Sequence, residues 1–392
     1  MTRPFALLGG DPAFPGRLPL VRPTIPDIPG VAARIEKVLE SGMLTNGATV
    51  RELEAAAAEL LEVPHVVAVS SCTAGLMLVL QQLGAQGPVV MPSFTFSASA
   101  HAVHWAGGTP VFAEVRERDL TLDPDDAAQQ VRASGAAAMT ATHIYGTPCR
   151  VDELQKVADE AGIPLVYDAA HALGSQSRGR RVGGFGTAEV FSMSPTKVTT
   201  AVEGGLVATR DADLAAALRI GRDYGNPGDY DCLFPGINAR MSELHATVGL
   251  ACIQGVDERV AHRNSLVEAF ASVLDGVPGV RLVRPEDGDV STYKDLTLVL
   301  SPDFGLTSVE LGEVLRSEGI DSRRYYAPPI HRQKAYAHLA PARELPVTDR
   351  LSETVLTPPL YSHMTVEQTE LVARVVVAAH EQSAALRTAL AA

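Results

Sequence analysis

The stretch LVYDAAHALGS (Leu165–Ser175) starts as an apolar, partly β-branched strand and ends that strand on an acid, Asp168, before a turn containing Gly174 and Ser175. Upstream of it the same punctuation recurs. Short apolar runs at Val66–Ser70, Pro88–Met91, Pro110–Val115, Ala137–His143 and Pro164–Asp168 read as strands. Between them, Ala74–Leu83, Ser97–Ala106 and Asp152–Ala161 carry helical spacing, and two more helices, Val31–Ser41 and Val50–Leu61, precede the first strand. Strands alternating with helices predict an α/β fold whose parallel sheet is covered on both faces. In open sheets of this kind ligands gather at the carboxyl ends of the strands, so a polar residue such as Asp168 at a strand end is a first candidate for function.

Downstream, the segment YGNPGDYDCLFPGINAR (Tyr224–Arg240) is too long and too rich in Gly, Pro, Asn and Asp for an ordinary connection, and reads as a lid or interface loop. A single long helix is expected over Met241–Asn264. Beyond it the character changes: strands at Val280–Val283 and Asp295–Leu300, a helix at Ser308–Glu318 and a terminal helix at Val366–Leu386 suggest a smaller α+β unit. A chain of 392 residues exceeds one compact core. The expected division is a large domain over 1–255 and a small one over 256–392.

Composition excludes several classes. With 46% hydrophobic and 20% charged residues the chain is globular rather than disordered. A net charge of −13 with no run of Lys and Arg argues against nucleic-acid or anionic-membrane binding. The four cysteines, Cys72, Cys149, Cys232 and Cys252, have neither disulfide-framework nor metal-ligand spacing, so no metal site is expected. No signal-like leader or run of about 18 apolar residues is present, and a cytoplasmic location is expected.

The second informative stretch is FSMSPTKVTTAVEGG (Phe191–Gly205), in which Lys197 lies in a short loop after another apolar run, with Ser192 and Ser194 before it and Gly204 and Gly205 after. Alone, Asp168 is an ordinary helix N-cap and Lys197 an ordinary surface lysine. Together, on neighbouring strand ends, a carboxylate and an amine are what pyridoxal phosphate requires: the amine forms a Schiff base with the aldehyde and the carboxylate keeps the pyridine nitrogen protonated. In VSSCTAGLMLVL a strand runs into a helix, so the amides near Thr73 and Ala74 lie at a helix N-terminus, a place that can hold a phosphate and that Ser and Thr also occupy as ordinary N-caps. In MPSFTFSAS either Phe94 or Phe96 is placed to cover a ring face.

These segments, with SGMLTNG, GGTPVF, HIYGTPC, INARMSELHA and YYAPPIHRQKAY in order along almost the whole chain, resemble the DegT/DnrJ/StrS family of sugar aminotransferases. The resemblance implies a fold-type I pyridoxal phosphate transferase with a mostly parallel central sheet and a smaller C-terminal α+β domain. It implies that Lys197 carries the cofactor, Asp168 pairs with the pyridine nitrogen, Phe96 stacks on the ring, Thr73, Ala74 and Ser192 hold the phosphate, and His171 approaches the ring hydroxyl. It also implies a homodimer in which Asn238 reaches the cofactor phosphate of the other subunit. The chain departs from the common family wording at His171, where many relatives carry Gln, and at Ser71-Cys72, where Asn-Gly or Ser-Gly is frequent. The retained Lys197 speaks against the relatives that carry His there and act as dehydratases.

By the same resemblance the amino donor is L-glutamate and the acceptor a nucleotide-linked keto sugar. Tyr326, His331 and Tyr336, with Arg240 or Arg222, are the candidate acceptor contacts, His331 foremost. The wording SPTKV followed by EGG looks nearer to the 4-amino subgroup than YPTKN followed by DGG, which favours a dTDP-4-keto-6-deoxyhexose in amino-sugar biosynthesis for a secondary metabolite or glycan. An aminotransferase of 3-keto sugars or keto-cyclitols is the alternative. The alternative from another class is a non-catalytic cofactor-binding regulatory protein, against which Lys197 and Asp168 weigh. A chain at −13 repels a doubly charged nucleotide sugar at long range, so a local cluster of basic and amide donors is required.

Overall fold

The computed structural model describes residues 4–339 and 344–391. Nine strands belong to the first two-thirds of the chain: β1 (His65–Val69), β2 (Pro88–Pro92), β3 (Thr109–Ala113), β4 (Ala138–Thr142), β5 (Leu165–Asp168), β6 (Gln176–Ser177), β7 (Arg180–Arg181), β8 (Ala188–Ser192) and β9 (Gly205–Thr209). Seven of them form one sheet in the order β1-β9-β8-β5-β4-β2-β3. Strand β9 runs antiparallel to both its neighbours and the remaining pairs are parallel. Every residue of β4, β5, β8 and β9 is buried, as expected for strands covered on both faces. The short β6–β7 hairpin stands apart as a two-stranded ribbon.

Register places the site. Asp168 ends β5 opposite Thr142 of β4 on one side and Val190 of β8 on the other. Ser192 ends β8 opposite Gly205, the first residue of β9. The helix Cys72–Gln82 follows β1 and starts beside that point, its first turn capped by Ser71, whose Oγ accepts from the Ala74 amide at 3.1 Å. Gly205 is needed there for space. A Cβ on it would lie 2.6 Å from the Cys72 nitrogen and 2.7 Å from the Ser71 carbonyl carbon, so strand β9 and the helix start touch backbone to backbone.

A second core lies around an antiparallel three-stranded sheet, β10 (Val280–Leu282), β11 (Leu298–Leu300) and β12 (Val355–Leu356), with the helices Val256–Leu274, Ser308–Ser317 and Val366–Glu381. Phe5 and Leu18, from the start of the chain, are buried in this core. The structure corrects the reading in several places. The expected helix over Met241–Asn264 is two helices, Glu243–Ile253 and Val256–Leu274, broken where Gly255 takes φ +67°. The terminal helix likewise divides into Val366–Glu381 and Ser383–Ala391. The helices Pro124–Ser134 and Ala212–Gly221, opened by the N-caps Asp123 and Asp211, were not anticipated.

Because the Gly205 contact is with backbone, which cannot rotate away, Gly205→Ala is expected to destabilise the protein by about 1–3 kcal/mol. Gly16→Ala, where the added Cβ meets nothing within 4 Å, serves as the neutral control. Denaturant unfolding of the two variants checks this, and equal midpoints would show that the close approach is not real.

Candidate active site

Asp168 is 5% exposed at the carboxyl edge of the sheet. Its oxygens face donors. Ser99, in the first turn of the helix Ser97–Trp105, donates its hydroxyl to Oδ2 at 2.6 Å, and the Ala170 amide donates to Oδ1 at 3.1 Å. The Cys72 thiol lies 4.0 Å from Oδ1, and burial next to Asp168 pushes that thiol well above its ordinary pKa, so it stays a neutral donor. Thr95 bridges the Ser99 and Thr142 hydroxyls at 3.3 and 3.1 Å, so the clamp on the carboxylate is itself held.

Lys197 stands across from this carboxylate in a loop that folds back on itself. The Met193 amide donates to Gly204 O at 2.9 Å, the Ala201 amide to Met193 O at 2.8 Å and the Lys197 amide to Ser194 O at 3.0 Å. The Lys197 ammonium has no hydrogen-bond or ion-pair partner among the described residues. Burial and then the positive charge of Lys294 lower its pKa from 10.5 to about 8, against the opposing pull of Asp295 and Asp168. Lys294 is buried and paired with Asp295, Nζ to Oδ1 2.6 Å, and its ammonium lies 5.7 Å from the centre of the Tyr325 ring.

Between Asp168 and Lys197 lies a cavity of about 190 Å³ whose wall includes Thr73, Phe96, His171, Ser192 and Tyr326. His171 is held neutral by burial and by the nearby Lys197 and Lys294 charges. Its Nδ1 is buried without a hydrogen-bond partner, a polar atom that the protein alone leaves unsatisfied. Phe94 is buried with its ring edge-on to Tyr326, whereas Phe96 is 58% exposed and faces the cavity, so of the two candidates Phe96 is the one available to a ligand. An unpaired amine, an orphaned imidazole nitrogen, a clamped carboxylate and a helix start fit the aldehyde, ring oxygen, ring nitrogen and phosphate of pyridoxal phosphate.

Other expected residues are placed elsewhere. The Ala74 amide is taken by the Ser71 cap, which leaves Cys72 and Thr73 as the helix-start amides with no carbonyl to reach within their own helix. Asn238 is exposed, accepts from Arg240 Nε at 3.3 Å and lies outside the cavity wall of its own chain. Arg240 pairs with Asp223 at 3.0 Å and lies over the Tyr224 ring. His331 is not brought to the cavity: it is buried, its Nδ1 hydrogen-bonds Ser93 Oγ at 2.6 Å, and its Nε2 lies 3.1 Å from Asp349 Oδ1 without the alignment of a hydrogen bond. These contacts fasten the Pro329–Arg332 turn to the loop after β2. Tyr336 is bonded to His101 at 2.5 Å, and Arg222 is buried against Glu54 and the Ala68 carbonyl, so both are structural. Conversely, Ser99, Thr95, Lys294 and Asp295 were missed. A hydroxyl in the first turn after PSFTF was a faint signal for Ser99, and the adjacent charges of YKD, inside an apolar run, a faint signal for the pair.

An α/β sheet of this topology with these groups at its carboxyl edge defines a pyridoxal-phosphate-dependent aminotransferase of fold type I. The chain belongs to the DegT/DnrJ/EryC1/StrS aminotransferase family, whose model matches residues 30–377. It is 35% identical over 338 residues to a dTDP-3-amino-3,4,6-trideoxy-α-D-glucose transaminase from Streptomyces venezuelae, covering 85% of this chain and 87% of the relative. It is 28% identical over 356 residues to a dTDP-4-amino-4,6-dideoxy-D-glucose transaminase from Escherichia coli, covering 89% and 95%. The crystal structure of DesI, solved in the presence of its TDP-sugar product, superposes with a TM-score of 0.92 at 36% identity over 98% of both chains.

In the cofactor-free protein the Lys197 amine is expected to become reactive toward an acylating reagent as pH rises through about 8. Lys294→Met removes a like charge and frees Asp295, and both changes favour the ammonium form, so the midpoint is expected to move upward. Site-resolved labelling read by peptide mass spectrometry checks this; an unmoved midpoint would show that burial alone sets it.

Proposed function

We propose that this chain transfers the amino group of L-glutamate to a nucleotide-linked keto sugar, a dTDP-4-keto-6-deoxyhexose, in the biosynthesis of an amino sugar for a secondary metabolite or surface glycan. The observation that carries the transaminase chemistry is the pairing of the clamped Asp168 carboxylate with the unpartnered Lys197 amine across one small cavity. Bound pyridoxal phosphate supplies a carbonyl carbon that accepts an amine and a ring that takes up the electron pair left when the donor's Cα–H bond breaks. Lys197 would hold the cofactor. Released from it and tethered beside the donor, its amine would take the proton from the donor's Cα and return it on the far side of the transferred nitrogen. Asp168 would hold the pyridine nitrogen, His171 would donate to the ring oxygen, Phe96 would cover the ring, and Thr73 and Ser192 with the helix-start amides would hold the phosphate.

A homodimer is part of this reading. The exposed side chains Leu39, Met43, Trp105 and Leu233 offer apolar surface for a second copy, and Asn238, outside its own cavity, would serve the partner's phosphate. Placement of the new amine at C4 rests on the SPTKV and EGG wording and on the E. coli relative. The Streptomyces relative, more identical and named for a 3-amino sugar, supports C3 as the second reading.

Two outcomes are expected. Lys197→Ala abolishes amination while cofactor still binds noncovalently, and full activity in that variant would sink the mechanism. Mixing Lys197→Ala with Asn238→Ala restores part of the activity that each lacks, because a hybrid dimer contains one site with both residues; no recovery would place all contacts within one chain. Turnover of dTDP-4-keto- and dTDP-3-keto-6-deoxyhexoses, with the amine located by NMR, decides the position.

A further inference from the structure

A cavity of about 190 Å³ beside Lys197 takes the reacting end of a substrate but not a whole nucleotide sugar. A larger groove, about 970 Å³, opens next to it. It begins at Thr196, the residue before Lys197, and at Tyr325, and runs past the N-terminal segment to the helix Ser308–Ser317. Val21 and Thr196 of its wall also line a small internal cavity that includes Lys197 and Lys294, so groove and amine are neighbours.

The groove wall carries four arginines, Arg17, Arg316, Arg323 and Arg324, against two acids, Glu313 and Asp321. Arg17 is paired with Asp321 at 2.8 Å and Arg316 is paired with Glu313. The other two are uncompensated. The Arg323 guanidinium makes no hydrogen bond or ion pair among the described residues, while its backbone is pinned by reciprocal hydrogen bonds with Thr357, at 3.0 and 2.7 Å. Arg324 donates from Nη2 to the Ser352 and Glu353 carbonyls at 3.1 and 3.3 Å, yet its Nε is buried with no acceptor. Two guanidiniums with no acid paired to either, one of them on a pinned backbone and the other with a buried Nε that lacks an acceptor, on the wall of a groove in a chain of net charge −13, make a local anion site of the kind such a chain needs to hold a dianion.

We propose that this groove anchors the diphosphate of the acceptor, with Arg323 and Arg324 as its ligands, and that the sugar thereby reaches inward past Thr196 to Lys197. The inference rests on the nucleotide-sugar reading above and names the residues that would make it possible.

The test uses the holoenzyme of the full chain, with dTDP as the binding probe and a dTDP-keto sugar as substrate. Arg323→Glu is expected to weaken dTDP binding and raise KM for the sugar nucleotide by about 10- to 100-fold, the range for a lost charge-assisted contact. The saturating rate changes far less, and the thermal midpoint holds because Arg323 has no protein partner to lose. Arg323→Lys is expected to fall between, and inorganic pyrophosphate to compete with dTDP in the wild type. Wild-type binding and KM retained by Arg323→Glu and by the Arg323→Glu, Arg324→Gln double variant would overturn the groove assignment and leave the substrate reading standing. A wild type that binds no dTDP and aminates no nucleotide sugar would overturn the substrate reading itself.

Discussion

A carboxylate at the end of a fully buried strand has to be solvated by the protein, since an unpaired buried charge costs several kcal/mol. Asp168 is that carboxylate, and its donors come from separate parts of the chain: Ser99 from the helix after β2, the Ala170 amide from its own turn, and Cys72 from the helix after β1. Holding one acid therefore fixes the relative positions of β5 and two helix starts. The same packing brings Gly205 against the Cys72 amide, so the floor of the cavity is set by backbone contacts as well as by side chains.

Across the cavity the electrostatics run the other way. Lys197 lies between His171 on one side and Lys294 on the other, and of these three only Lys294 has a paired acid, Asp295. Burial first, and then that crowding, leaves a lysine whose amine is easier to deprotonate and an imidazole that stays neutral. In the proposed reaction these are the two useful states: a group that exchanges a proton near neutral pH and a group that donates a hydrogen bond without adding charge. Basic charge also gathers in the adjoining groove, so the acidic average of the chain says little about the surface a substrate meets.

Legibility in the sequence followed the range of the interaction. The apolar runs that became β1 to β5 and three of the helices between them were readable because strand burial and helix periodicity are local properties, and the observed ends differ from the expected ones by one or two residues; the helix Pro124–Ser134, between β3 and β4, was not. The break at Gly255 was missed because apolar residues continue on both sides of it, and the glycine's positive φ shows only in the fold. Asp168 and Lys197 stood out because the first closes a strand and the second lies in the loop after one, each in a distinctive wording. Ser99 and Lys294 lie far from both in sequence and come near only in the fold, Ser99 on the helix after β2 and Lys294 through the hydrogen bond its amide donates to the Tyr145 carbonyl at 2.8 Å. His331 was taken from the resemblance as the foremost acceptor contact, but Ser93, remote in sequence, holds its Nδ1, and its Nε2 is buried beside Asp349 away from the cavity.

Two lysines within one cavity complex make the position of the covalent link to the cofactor the most direct measure of the proposed chemistry. Borohydride reduction of the holoenzyme, proteolysis and mass spectrometry locate it. A reduced pyridoxyl group on the peptide carrying Lys197, with Lys294 unmodified, is expected. A pyridoxyl group on Lys294, or none on either lysine, would contradict the account.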